Sequence, residues 1–134
     1  YKGEADWSLI GAVKNNARIR IPVFGNGDID SPEKALLYKN RYGVDGIMIG
    51  RGIFTDPYAF AKDSPWNSMK PEERIALYRK QVELFAETWQ NRERPIHTLN
   101  KFCKIYINHF DGAKELREKL MQAQSTDELL KMLN

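Results

Sequence analysis

The sequence predicts two kinds of structure in order: an α/β part followed by an all-α part. Two short apolar runs, Ile21–Phe24 and Gly46–Ile49, are typical of buried strands, and a helical stretch separates them. Such a strand–helix–strand unit makes the strands parallel. Fully apolar strands are usually covered on both faces and paired with other strands at both edges. We therefore predict the last two β/α units of a TIM barrel, followed by a C-terminal helical bundle domain.

Each element of the first half has a local signal. Asp6 can cap a helix that runs to Lys14, since Trp7, Ile10 and Val13 share one stripe. The Ser31-Pro32-Glu33 start predicts a second helix that ends at Gly43. A short helix is predicted over 57–61.

Turn residues over 63–71 mark a linker, beyond which no strand pattern occurs. Apolar periodicity predicts helices over 72–89, 96–110 and 113–123. The run Ser125-Thr-Asp-Glu128 is a capping box that opens a last helix through Leu133. The predicted domains are therefore 1–62, the end of the barrel, and 72–134, the helical domain.

Composition excludes several classes of protein. The chain has 134 residues, a formal net charge of +3 and one cysteine, Cys103. A single cysteine excludes an internal disulfide framework and fits a reducing, cytoplasmic compartment. No apolar run approaches the roughly 20 residues of a membrane span.

Glycine-rich tips follow both strands: Gly25-Asn26-Gly27-Asp28 after the first and Gly50-Arg51-Gly52 after the second. In a βα-barrel, the loops after the last two strands commonly bind phosphate. Glycines let the backbone approach an anion closely, and Arg51 adds a charge suited to phosphate oxygens. Asn26 and Asp28 either contact the ligand or orient the loop. In the alternative interpretation, the glycines only make tight turns.

The segments IPVFGNGDI, DGIMIGRGIFTDPYAF and GAKELREKL resemble the C-terminal part of the tRNA-dihydrouridine synthase family. This resemblance implies an FMN-binding barrel followed by a helical tRNA-binding domain. It also implies reduction of uridine to dihydrouridine in tRNA with NADPH. By the same resemblance, Asn26, Gly27 and Asp28 match the first flavin-contacting block. Gly50 and Arg51 match the second, which holds the FMN phosphate.

In that family the proton-donating cysteine lies in the earlier half of the barrel, and no residue of this chain matches it. We expect Cys103 to be a small apolar residue of a helix, not the catalytic acid. The chain by itself is then expected to be inactive.

Basic residues gather in the predicted helical domain: Arg92, Arg94, His97, Lys101 and Lys104, with Arg79 and Lys80 on the preceding helix. By the resemblance, Arg94, Lys101 and Lys104 are candidate tRNA contacts. In the alternative interpretation they form a solvated helix face, since acids are common nearby. The two histidines lack metal-ligand spacing and are expected to be structural or surface residues.

Two other functions stay open at the level of sequence. The chain is either a non-catalytic RNA- or protein-binding helical module, or part of another phosphate-binding flavin barrel that acts on a small molecule. We also expect the isolated chain to self-associate through its open strand edges.

Overall fold

A computed structural model describes residues 3–89 and 94–134. The chain divides into two compact units, Tyr1–Asn67 and Ser68–Asn134. The first contains α1 (Trp7–Lys14), β1 (Phe24–Asn26), α2 (Pro32–Tyr42) and β2 (Gly46–Met48). The second contains α3 (Pro71–Thr88), α4 (His97–Asn100), α5 (Cys103–Tyr106), α6 (Ala113–Leu120) and α7 (Thr126–Met132).

The two strands of the first unit pair in parallel, as predicted. Phe24 lies opposite Gly46, and Asn26 lies opposite Met48. The fold class is thus confirmed as two parallel strands with their helices, followed by an all-α unit. Because the strands run in the same direction, the loops that follow Asn26 and Met48 leave the sheet at the same edge.

The predicted helix ends in this unit are confirmed. The Asp6 carboxylate accepts a hydrogen bond from the Ser8 amide at the start of α1. The Ser31 hydroxyl accepts one from the Lys34 amide at the start of α2. Gly43 ends α2 with φ of 69°, a left-handed conformation that glycine adopts without strain.

The prediction of a buried strand at 21–24 is wrong in both position and burial. Ile21 is 72% exposed, and pairing begins only at Phe24, which is 67% exposed. Pro22 has no amide hydrogen to donate to a ladder. The Val23 amide donates instead to the Asp45 carboxylate, at 2.6 Å. Strand β2 is also only half-buried, because among the described residues no third strand covers the sheet edges.

The short helix predicted over 57–61 does not form. A single turn of 3₁₀ helix, Arg51–Phe54, follows β2 instead. Downstream, the Asp56 carboxylate accepts a hydrogen bond from the Tyr58 amide. Its carbonyl accepts from Ala59. These local bonds hold the segment in turns and compete with helix formation.

In the second unit, the helix predicted over 96–110 is divided into α4 and α5. The amides of Phe102 and Ile105 donate to carbonyls three residues back, a tighter pattern than an α-helix makes. Helix α6 ends at Leu120, before the predicted position. Ser125 caps α7 through the Glu128 amide, but the Glu128 carboxylate accepts from Gln124 and not from Ser125.

Five side chains of the second unit are completely covered: Tyr78, Val82, Ile107, Leu120 and Leu129. Burial raises the pKa of the Tyr78 hydroxyl far above its ordinary value. Among the described residues, that hydroxyl has no hydrogen-bond partner. A buried polar group without a partner costs about 1–3 kcal/mol.

Tyr78→Phe should therefore leave the helical unit equally stable or stabilise it, by up to about 1 kcal/mol. Urea unfolding followed by circular dichroism measures the change. A destabilisation above about 1 kcal/mol would instead indicate that the hydroxyl makes a bond in solution.

Candidate functional site

The two glycine tips of the first unit meet at one cavity of about 580 Å³. The cavity is lined by all five residues predicted to bind the cofactor: Asn26, Gly27, Asp28, Gly50 and Arg51. Its other lining residues are Glu4, Ile29, Asp30, Lys34, Gly52 and Thr55. The parallel register of the strands produces this juxtaposition, since it places both loops at the carboxyl edge of the sheet.

The backbone of the first loop requires glycine at one position. Gly27 has φ of 135°, and a Cβ built there would lie 2.4 Å from the Ala5 Cβ. The next residue, Asp28, also has a positive φ, 54°, which aspartate tolerates better than most residues. The chain therefore turns sharply where it leaves β1, and the loop lies against the segment before α1.

The two loops also pack directly against each other. A Cβ on Gly52 would lie 2.8 Å from both the Asp30 Cα and the Ile29 carbonyl oxygen. A Cβ on Gly50, in contrast, would make only an ordinary van der Waals contact, with the Asn26 Oδ1 at 3.9 Å. Gly52 thus sets the distance between the loops, whereas their packing does not require glycine at Gly50. The Gly-Arg-Gly motif includes Gly52, but the sequence gives no sign of this contact.

Asp28 is hydrogen-bonded to the protein itself. Its Oδ2 accepts from the Ala5 amide at 2.6 Å, and its Oδ1 lies 3.7 Å from the Arg51 Nη2. Of the two roles left open by the sequence, these contacts favour orienting the loop. The Arg51 side chain is 73% exposed, so its guanidinium keeps most of its donors available.

Trp7 supports the first loop from behind. Its indole N–H donates to the Gly27 carbonyl at 2.9 Å, and the residue is buried. The ring packs edge-on against Tyr38, with centroids 4.9 Å apart. It also contacts Gly25 so closely that no side chain fits there. Because Trp7 belongs to the core of this unit, its contacts fix the position of the first loop.

The charges around the cavity are mixed. The cations Lys34 and Arg51 line it together with the carboxylates of Glu4, Asp28 and Asp30. In the 3₁₀ turn after β2, the Ile53 amide is the first to donate within the turn, to the Gly50 carbonyl. The preceding amides have no acceptor inside the turn. Lys34 and Arg51 are the two cations of the cavity that an anion could contact. Lys34 was not predicted from the sequence, although its position in the first turn of α2 places it near the loop.

In the helical unit, the structure separates the three predicted RNA contacts. Lys101 and Lys104 line one groove. Arg94 lines a different cavity, where its guanidinium lies 4.9 Å from the centre of the Trp89 ring. Arg92, a further basic residue of the predicted cluster, lies outside the described residues.

Cys103 is a core residue of the helical unit. It is buried with Tyr78 and Leu99, and this burial raises the pKa of its thiol although Arg117 opposes the shift. A thiol with a raised pKa is a poor nucleophile and a poor metal ligand. Over 3–89 and 94–134, no three His, Cys, Asp or Glu side chains gather as a metal site would require. Within the same residues, no helix is long and apolar enough to cross a membrane.

Parallel strand–helix units with a glycine-lined cavity at the carboxyl edge are typical of phosphate-binding α/β proteins. The model of the dihydrouridine synthase family matches residues 1–134, so the chain belongs to that family. A probable tRNA-dihydrouridine synthase 2 of Bacillus subtilis is 41% identical in an alignment 136 residues long that covers 99% of this chain. Probable tRNA-dihydrouridine synthases of Staphylococcus epidermidis and Staphylococcus aureus are 39% and 38% identical, each over 140 residues and 99% of the chain. The chain spans 41% of the length of each of these relatives.

Proposed function

We propose that this chain is the C-terminal part of an FMN-dependent tRNA-dihydrouridine synthase, which reduces uridine in tRNA with NADPH. Membership of the family and the names of the relatives support this proposal. The observation that carries it is the single cavity into which the tips after β1 and β2 both open. Residues 1–62 then end the flavin barrel, 63–71 are a linker, and 72–134 form the tRNA-binding domain.

The cavity suits the phosphate end of FMN. Gly50 and Asn26 both line it, and Arg51 supplies an exposed cation whose planar donors match phosphate oxygens. Gly27 completes the wall of the first loop, and Asp28 holds that loop in place. When bound, the flavin supplies the two-electron chemistry that saturates a uracil ring. The residues of this chain bind and orient it.

The helical unit supplies the cationic surface for the RNA. Lys101 and Lys104 are exposed and line the same groove, where they can neutralise neighbouring tRNA phosphates. Arg94, also exposed, contributes at a second position beside Trp89. A uridine that is reduced must leave its stack to enter a catalytic pocket. Cationic contacts made by the helical unit hold the tRNA while this occurs.

The exposed apolar residues of the sheet are consistent with a partial barrel. Phe24 and Met48 are 67% and 55% exposed, although such side chains usually pack against neighbouring strands and helices. In the full-length protein, the remaining barrel strands cover them. The isolated chain should instead self-associate at its strand edges.

Arg51→Ala in the full-length protein should weaken FMN binding by about tenfold or more, because a charge-assisted phosphate contact is lost. Flavin absorbance per protein after gel filtration measures retention. Arg20→Ala, which removes an exposed arginine outside the cavity, is the matched control and should retain flavin fully. Equal flavin content in both variants would remove Arg51 from the phosphate site.

A further inference from the structure

One groove of about 680 Å³ in the helical unit collects more positive charge than the sequence pattern indicated. Lys101 follows α4, Lys104 lies in α5, and Lys114 lies in the first turn of α6. All three lysines are exposed and line this groove. Glu118 is the one carboxylate among its lining residues. The fold thus adds Lys114, which lies on a separate helix, to the two lysines predicted from the sequence.

The cations of the groove differ in how firmly they are held. Arg117 is half-buried, and its guanidinium donates to the Ile107 carbonyl at 2.8 Å, so it joins α6 to the end of α5. Lys114 lies 3.8 Å from Glu118, and both side chains are largely exposed. Such an exposed pair contributes little. Lys114 is therefore available to an anion that binds it more strongly than Glu118 does. Arg117 holds α6 against the end of α5.

A second, independent feature also indicates a polar ligand. Asn100 lines the groove, is only 3% exposed, and is the one buried polar residue in the part of the chain that the structure describes. Its amide nitrogen makes a long bond of 3.5 Å to the Leu120 carbonyl. Its Oδ1 has no partner among the described residues. A buried acceptor without a partner is costly, and a donor from a ligand would remove that cost.

We propose that this groove binds one stretch of the RNA backbone, with Lys114 as a third phosphate contact beside Lys101 and Lys104. Asn100 accepts a hydrogen bond from a hydroxyl or amino donor of the same strand. Arg117 is a positioning residue, since it joins the walls of the groove. This inference rests on the proposed function and names residues that the sequence alone did not indicate.

The test compares tRNA affinity of the full-length protein at several salt concentrations. Lys114→Gln should weaken binding severalfold and flatten the slope of log K against log salt by about 0.7 to 0.9, the loss of one phosphate contact. Lys119→Gln is the matched control, because Lys119 is an exposed lysine of the same helix that does not line the groove. It should leave the slope unchanged. Equal slopes for the two variants would overturn the role of Lys114.

A neutral variant tests Asn100 separately. Asn100→Leu should weaken tRNA binding while leaving the salt slope unchanged, because no charge is removed. Thermal unfolding establishes that the variant is folded, and unaltered affinity in a folded variant would remove Asn100 from the site. Absence of tRNA binding by the wild-type protein would contradict the proposed function. If the wild-type protein binds tRNA and Lys114→Gln binds it equally well, only the proposed RNA-binding groove is contradicted.

Discussion

Gly25→Ala should destabilise the first unit by about 1–3 kcal/mol, because the new methyl group meets a ring that cannot move aside. Its Cβ would lie 2.2 Å from the Trp7 Cζ3 and 2.5 Å from the Cη2. The indole is held by its hydrogen bond to Gly27 and by its contact with Tyr38. Since the same indole supports the loop at Gly27, flavin retention should fall together with stability.

A double-mutant cycle separates this clash from other effects of the substitution. Trp7→Leu removes the ring, so adding Gly25→Ala to it should cost much less than Gly25→Ala alone. Amide hydrogen exchange of the 134-residue chain reports each unit separately. In Gly25→Ala, the protection of amides from exchange should fall in β1 and α1 and stay constant in α3. Additive effects of the two substitutions would show that the methyl group does not meet the indole.

Leu129→Ala should cost the helical unit about 2–5 kcal/mol, the range for a large-to-small change in a closed core. Leu129 is completely buried in the cluster that also contains Tyr78, Val82 and Leu120. Helix α7 is short and packs against α3, so it depends on this packing and not on its intrinsic stability. We expect the protection of α7 amides to be largely lost.

Leu84→Ala is the control for this core substitution. The same atoms are removed from α3, but Leu84 is 53% exposed. The change should stay within about 0.5 kcal/mol, as surface substitutions usually do. Denaturant unfolding of both variants measures the difference. Similar losses for Leu84→Ala and Leu129→Ala would show that the helical core is not packed as described.

Both proposed flavin loops belong to the first unit, and the cationic groove belongs to the second. Cofactor and RNA variants should therefore be separable. Arg51→Ala is expected to change flavin content without altering the salt dependence of tRNA binding. Lys114→Gln is expected to have the opposite pattern. This separation would support the assignment of one role to each unit.

Local signals in the sequence specify the helix ends and the parallel strand pair. Asp6, Ser31 and Gly43 act within one turn of their own positions, so their effects do not depend on the rest of the fold. The glycine tips were also recognisable, because two short apolar runs each lead directly into a Gly-x-Gly sequence. The ligand expected there came from the family resemblance, and the matching family model confirms that resemblance.

Burial, spacing and charge clustering, in contrast, depend on how the elements pack. The apolar run 21–24 predicted a buried strand, but Pro22 cannot donate to a ladder, the Val23 amide bonds to the Asp45 carboxylate, and the paired strand begins at Phe24. The close contact at Gly52 and the addition of Lys114 to the groove depend on residues far apart in sequence. Periodicity describes one element at a time, whereas such contacts arise only when separate elements pack together.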